Sequence, residues 1–421
     1  METRVPEGGR TPEPQPHPDF TDDHRKRVLA IFEERGLFGP RETAPDASSA
    51  FAARVDEYPG TKPFAAPHRR LSPDKREALE QLINEMLADG RIQPSHLPYS
   101  APIVMVRKSN GKWRFCVDYR GLNQGTIADA FPLPHINDVF ARVQGAKVMS
   151  CIDLASGYHN LAMHPDHRHK TAFVSPEGLW EWTVLPFGVT NGPAQFSRFM
   201  THVTHGLLRV MFYLDDLLVA STSVEQHMSD LVALADRLAS HNLLVNRDKL
   251  QLGLQGAHVL GHTLIQDRLY ISPDKQARLC EFPDPTTRKE LQRLFGFCSY
   301  LRAWVPHFAE IAQPLTAACA GKGSFKWTDK MREAKQRLMK ALGSPQALRL
   351  PSPTGAFTLA TDASDVATGG TLFQNGEPVW FFSKLLNKHE RRYSVRDREL
   401  LAIIHTLRAT AHLVGISPSR W

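Results

Sequence analysis

From residue 72 onward the apolar positions recur either at helical spacing or in short bounded runs, a pattern that the first sixty residues largely lack. Ser72-Pro73 opens the first helix, with Ser as N-cap, Pro at the first helical position, Leu79, Leu82, Ile83, Met86 and Leu87 on one stripe, and Gly90 at the end. Pro102 to Val106 and Trp113 to Val117 are strand-like, joined through the Asn110-Gly111 pair that favours a tight hairpin. Val148 to Leu154 predicts a strand carrying Asp153, and Thr171 to Val174 with Leu179 to Val184 predicts another hairpin through Pro176-Glu177-Gly178. A helix from Pro193 to about Leu208 leads into two apolar runs, Val210 to Tyr213 and Leu217 to Ala220, with Asp215 and Asp216 at the bend.

Ser223 and Gln226 predict a capping box for a helix to about Ser240, with Met228, Leu231, Ala235 and Leu238 inward. Ala257 to Ile265 reads as one strand, and Ser272-Pro273 repeats the Ser-Pro helix start. Thr287 with Glu290 is a further capping box, opening a helix with Leu291, Leu294, Phe295, Cys298 and Leu301. After a linker with Pro345, Pro351, Pro353 and Gly355, three strands are predicted at Phe357 to Thr361, Gly369 to Phe373 and Val379 to Ser383, followed by a helix from Ser394 to about Leu413. Residues 1–60 hold five prolines in the first eighteen positions, and apart from a short helix over Asp22 to Arg35 they read as a mostly disordered leader.

Charge and cysteine usage narrow the function. The formal charge of +7 is uneven: residues 1–60 carry 12 acids and 8 bases, leaving +11 on the remaining 361, a balance that suits a polyanionic partner such as nucleic acid. A solvated lysine-rich surface would give the same total. No apolar run reaches the roughly 18 residues of a membrane span, so no membrane partner is expected. The five cysteines are scattered without Cys-x-x-Cys pairs, which argues against a disulfide framework and a structural zinc site and makes a reducing compartment the default.

An isolated Asp215-Asp216 pair could be an acidic turn facing water. Asp153 also ends an apolar strand, and stacking the strands would gather three carboxylates whose mutual repulsion requires a divalent ion. Hard oxygen ligands without a Cys or His cluster point to magnesium or manganese. Two such ions suit phosphoryl displacement, and nucleotidyl transfer fits that need.

The chain resembles the polymerase of gypsy-class long-terminal-repeat retrotransposons, a reverse transcriptase followed by a ribonuclease H. The resemblance rests on Arg114-Phe-Cys-Val-Asp118-Tyr-Arg120-Gly-Leu-Asn123, Cys151-Ile-Asp153-Leu-Ala-Ser-Gly157-Tyr158-His159, Lys170-Thr-Ala-Phe173, Leu185-Pro-Phe187-Gly188-Val-Thr-Asn191, Tyr213-Leu-Asp215-Asp216 and Leu260-Gly261-His262, in the family's order across residues 68–413. It implies an α+β, right-hand polymerase of fingers, palm and thumb, with a helical connection and a partial ribonuclease-H-like α/β domain. The implied divisions are a leader over 1–60, fingers and palm over 61–268, thumb and connection over 269–345, and a truncated ribonuclease H-like domain over 346–421.

By the same resemblance Asp153 and Asp215 hold two Mg²⁺ ions, with Mn²⁺ as the alternative, and Asp216 completes the acidic turn. Lys108 and Arg114 match the cations that grip the triphosphate, and Tyr158 matches the aromatic under the sugar that excludes a 2′ hydroxyl. Phe187 and Gly188 fall where the nascent base pair rests, and Leu260, Gly261 and His262 match the primer grip. Ala155 and Ala162 depart from the family, standing where relatives often carry a basic residue. The implied partners are RNA and DNA template-primers, deoxynucleoside triphosphates and other parts of a retroelement polyprotein. The implied place of work is a cytoplasmic virus-like particle with access to the nucleus.

In the last segment Asp362 and Glu399 match metal ligands of ribonuclease H, whereas the later carboxylates of that family are absent before Trp421. The expectation is a truncated domain with little or no hybrid cleavage. The rival reading is a degenerate or domesticated remnant that binds nucleic acid without synthesis.

Overall fold

The computed structural model describes residues 11–39, 45–107, 111, 113–133, 139–140, 142–259, 261–321, 323–343, 347–352 and 354–414. The chain divides into two compact units, one built from residues 19–139 and 150–253, the other from the described parts of 1–18, 140–149 and 254–421.

The first unit holds two sheets. Its strands are β1 (Ile92–Pro94), β2 (Ala101–Arg107), β3 (Trp113–Val117), β4 (Val148–Asp153), β5 (Phe173–Ser175), β6 (Gly178–Trp182), β7 (Val210–Tyr213), β8 (Asp216–Ser221) and β9 (Gln251–Leu254). Five of them line up as β1-β6-β5-β2-β3 and four as β7-β8-β4-β9. The second sheet positions the acids, because β4 and β8 are neighbours within it. Its central strands carry apolar runs with Ile152, Leu217, Leu218 and Val219 buried, as expected of strands covered on both faces. Helix Gly192–Val203 is shorter than its apolar pattern predicts: Gly206 takes φ +84° just beyond its end, and Leu208 stands exposed.

Helix Val224–Ser240 starts at Ser223, whose hydroxyl accepts from the Gln226 amide at 3.3 Å. The other half of the predicted box is not made, since the Gln226 side chain turns to Asp230. This helix fully buries His227 along with Leu231, Leu234, Ala235 and Leu238, whereas Met228, predicted inward, is only partly covered. Helix Asp22–Glu34 packs against it through Val28 and Phe32, and Phe20 and Leu37 are buried as well. This stretch of the expected leader contributes core side chains.

The second unit contains β10 (Gly256–Val259), β11 (His262–Ile265), β12 (Arg268–Ile271) and β13 (Leu348–Arg349), paired antiparallel in that order. The single strand predicted over 257–265 is a hairpin instead, because Gly261 takes φ +72° and reverses the chain. Helices Pro273–Cys280, Arg288–Tyr300, Gln313–Ala320 and Asp329–Gly343 follow. Glu290 caps one residue earlier than predicted, accepting from the Thr286 amide at 2.8 Å. The last sheet is β14 (Phe357–Ala363), β15 (Ala367–Gln374) and β16 (Glu377–Leu385), antiparallel, with helix Val395–Val414 packed across it.

Candidate active site

The hairpin of β7 and β8 closes through the smallest possible bend. Tyr213 pairs with Asp216, leaving Leu214 and Asp215 as the turn, and Leu214 adopts φ +52°. A leucine in the left-handed region costs about 1–2 kcal/mol, a strain the flanking ladder has to hold. The end of β4 is tied directly to this turn. The Leu154 amide donates to the Asp215 carbonyl at 3.1 Å, and the amides of Ala155 and Asn246 bond to Leu244 and Asp153 carbonyls at 2.8 Å each.

Beyond β4 the chain turns sharply through Ser156, φ +64°, and Gly157, φ +43°. Asn160 fastens that turn, donating from its side-chain amide to the carbonyls of Ala155 at 2.9 Å and Gly157 at 2.8 Å. A Cβ on Gly157 would stand 2.6 Å from Asp215 Oδ2 and 2.8 Å from Oδ1. Only glycine leaves room for the Asp215 carboxylate here.

Asp215 feels the charges of both Asp216 and Asp153, and Asp216 feels that of Asp153. Burial first, then the charges of Asp216 and Asp153, push the Asp215 carboxyl up to about 6, against the opposing pull of Lys249. Asp216 is raised as well, by burial and then by Asp153. Lys249 Nζ lies 3.2 and 3.1 Å from the two Asp153 oxygens. Asp215 Oδ1 is buried with no hydrogen-bond partner. Cys151, two residues before Asp153, is pushed up to about 12 by burial and then Asp216, so it remains a thiol.

Among the described residues no three His, Cys, Asp or Glu side chains already stand in metal-holding geometry. The fit of divalent ions therefore rests on the donor set. Three carboxylates share one lysine, and one buried carboxylate oxygen lacks any donor, a state that a hard cation relieves. Asp153, Asp215 and Asp216 fit such an ion.

Beside the acids lies an aromatic platform. Tyr158 is half-buried, its ring centroid 5.0 Å from Phe187 and 5.3 Å from Phe196, and burial followed by the charges of Asp215 and Tyr213 pushes its phenol up to about 12. Phe187 is 52% exposed and is braced from its other side by His159 at 5.3 Å, which in turn packs on Trp182 at 5.1 Å. Gly188 takes φ +96°, and its loop is held by Asn123, which donates to the Gly188 carbonyl and accepts from the Thr190 amide, both at 2.9 Å. Arg114 stands exposed on β3, while Lys108 falls outside the described residues. The neighbouring Asp118 is held well below the usual carboxylate range by Arg120 and Arg69, so the conspicuous Asp118-Tyr-Arg120 motif is an ion-paired corner, with the buried Tyr119 hydroxyl donating to the Thr171 carbonyl at 2.7 Å.

The remaining predicted residues lie in the second unit. Leu260 falls outside the described residues. His262 is buried between Trp304, 4.9 Å away and 13° from parallel, and Tyr300, 5.9 Å away and 18° from parallel. Burial first and Lys275 second lower its pKa to about 3, so His262 is neutral and anchors the turn. The Gly261 backbone is what this turn presents, and a Cβ there would meet Lys275 Cε at 2.3 Å. Asp362, on the outer strand β14, and Glu399, on helix Val395–Val414, are both exposed.

Sequence reasoning quoted Asn123, Gly157 and His159 within motifs but gave them no role, and it missed Asn160 and Lys249 as parts of this site. The glycine and asparagines carried a signal, since both types favour positive φ and local capping. Lys249 carried none, being 96 residues from its partner in sequence.

Comparison with known proteins places the fold. Residues 106–264 match the family model for reverse transcriptase (RNA-dependent DNA polymerase), and residues 327–419 match the RNase H-like domain found in reverse transcriptase. The retrovirus-related Pol polyprotein from transposon 297 of Drosophila melanogaster is 35% identical over 343 residues, covering 79% of this chain and 32% of that protein. The Pol polyprotein from transposon opus of the same species is 32% identical, over 95% of this chain and 42% of its own length. The Tf2-3 transposon polyprotein of Schizosaccharomyces pombe is 31% identical, over 81% of this chain and 26% of its own. This chain thus spans less than half of these relatives' length.

Among solved structures, the foamy viral protease-reverse transcriptase dRH in complex with double-stranded DNA superposes with TM-score 0.83 at 21% identity, covering 94% of this chain and 70% of that one. The same viral protein in complex with an RNA/DNA hybrid gives 0.81 at 20%, covering 94% and 54%. The fold is that of a reverse transcriptase, and the chain carries reverse transcriptase and RNase H-like domains with transposon Pol polyproteins as homologues.

Proposed function

We propose that this protein is an RNA-directed DNA polymerase of a gypsy-class long-terminal-repeat retrotransposon, extending a primer by two-metal nucleotidyl transfer with Mg²⁺ or Mn²⁺. The observation that carries the reading is Asp215: a partly buried carboxylate with an orphaned oxygen, beside Asp153 and Asp216, on a turn hydrogen-bonded to the end of β4. When bound, the divalent ions supply the positive charge that activates the primer hydroxyl and stabilises the leaving pyrophosphate.

The chain's own residues do the rest. Asp153 and Asp215 would hold the ions, and Asp216 would add its charge at the mouth of the site. Lys249, paired with Asp153, offsets part of the repulsion among the acids. Phe187 offers the flat face on which the nascent base pair rests, and the half-buried Tyr158 stiffens it while barring a ribose 2′ hydroxyl. Arg114 and Lys108 are assigned to the triphosphate, and the Gly261 turn to the primer backbone. The proposed partners are an RNA or DNA template-primer and deoxynucleoside triphosphates, and the proposed place of work is a cytoplasmic virus-like particle.

The test is extension of a labelled DNA primer on an RNA template by purified protein, with Mg²⁺, with Mn²⁺ and with chelator. Metal-dependent product is expected. A protein that binds the primed template but makes no product with either ion is instead the nucleic-acid-binding remnant.

A further inference from the structure

Beneath the acids, a buried histidine joins the two strands that carry them. His227, on helix Val224–Ser240, is fully buried, with Nε2 2.7 Å from Ser150 Oγ and Nδ1 2.9 Å from Ser221 Oγ. Ser150 is three residues before Asp153 on β4, and Ser221 is five after Asp216 on β8. One ring therefore spans the pair of strands whose spacing sets the distance between Asp153 and the Asp215–Asp216 turn.

With a neutral His227 ring and an ionised Asp230, one set of bond directions satisfies this chain. Asp230 is accept-only as a carboxylate, so the Ser221 hydroxyl, 2.7 Å from Asp230 Oδ2, gives its single proton there. Ser221 must then accept from His227, which places the ring proton on Nδ1. That leaves Nε2 as an acceptor, filled by the Ser150 hydroxyl. Ser150 Oγ in turn accepts from the Gly253 amide at 3.0 Å, which draws β9 into the same network. At the far end Gln226 donates to Asp230 Oδ1 at 3.0 Å, and Arg209 stands 3.6 Å from the same oxygen. Phe20 packs edge-on to the ring at 5.8 Å.

A hydrogen-bond chain buried this deeply tolerates little displacement, because each unmade bond strands a polar group away from water. A core position on a helix is normally filled more safely by leucine. Here the helix presents a two-ended connector instead, and its ends bond to the two strands that carry the candidate metal ligands.

We infer that His227 is a positioning residue for the polymerase reaction, locking β4 and β8 so that Asp153 and the Asp215–Asp216 turn converge when they take up metal; the inference rests on the polymerase reading above. The test compares wild type, His227→Leu and Ser150→Ala by calorimetric Mn²⁺ titration of the protein bound to a primed template, alongside kcat and KM for the incoming nucleotide. Each variant should bind Mn²⁺ about 10-fold more weakly and lose kcat, with nucleotide KM within about twofold. A merely structural role would lower the folded fraction and leave the Mn²⁺ affinity of the folded molecules unchanged. Ser150→Ala decides the matter if His227→Leu fails to fold, since it cuts the β4 end together with the Gly253 tie to β9 and leaves the Ser221 end on β8 intact. Wild type that neither binds Mn²⁺ nor extends a primer overturns the polymerase reading and this inference with it. Wild type that does both, while the folded variants bind Mn²⁺ as tightly, overturns this inference alone.

Discussion

The acids at the ends of β4 and β7 and those of the last sheet and the helix packed on it are the same chemical group in two surroundings. Asp153 and Asp215 are partly buried, reached by backbone hydrogen bonds from neighbouring strands, and close enough to repel. Asp362 and Glu399 stand in water, one on an outer strand and one on an uncovered helix face that also leaves Val395 at 61% and Leu400 at 56% exposure. A solvated carboxylate costs nothing to keep and stores nothing. A partly buried carboxylate held beside two others stores repulsion that a cation can release, and that stored term separates a site from a surface.

The sharpest way to break this contrast is to neutralise an acid in each place. Asp153→Asn or Asp215→Asn should lower metal-dependent primer extension by at least about 10²-fold, because charge stabilisation by the ions is worth several kcal/mol. Steady-state extension assays read this directly. Gly157→Ala comes next: its Cβ would displace the Asp215 carboxylate from a contact of 2.6 Å, so extension should fall by about 10-fold with Asp215 itself intact. Phe187→Ala should raise nucleotide KM by about 5-fold, the lower end of what a base-stacking face contributes, with metal dependence unchanged. Asp362→Asn and Glu399→Gln should leave extension within about twofold and stability within about 0.5 kcal/mol, as ordinary surface changes do. Loss of extension in either would erase the distinction drawn between the two regions.

Much of the fold was legible because its signals are local. Ser72-Pro73, Ser272-Pro273 and the Thr287 cap open helices where predicted, and the apolar runs around Asp215 and Asp216 form β7 and β8. The errors arise where one residue's backbone reverses a pattern that periodicity alone extends, as Gly261 does by splitting one predicted strand into β10 and β11. The burial of His227 in place of Met228 was illegible for another reason. A histidine at a core position looks polar until its partners, 77 residues and 6 residues away in sequence, are brought to both ends of its ring. Lys249 on Asp153 is likewise a tertiary fact.

The most direct test of the stored repulsion is an unfolding titration of wild type and Asp215→Asn against pH, in chelator and in Mg²⁺. Asp215 is raised to about 6 in the folded protein, so between the ordinary carboxylate range and pH 6 the folded state holds a proton that the unfolded chain has released. Its contribution to stability therefore falls as pH rises through that window and stays low above it. With chelator at pH 7.5, Asp215→Asn should be more stable than wild type by about 1–2 kcal/mol, a figure discounted for the partial exposure of the carboxylate, and the gap should close below about pH 4. Mg²⁺ should stabilise wild type and leave the variant almost unmoved. A wild type that is the more stable of the two in chelator at pH 7.5, or that gains nothing from Mg²⁺, would contradict the account.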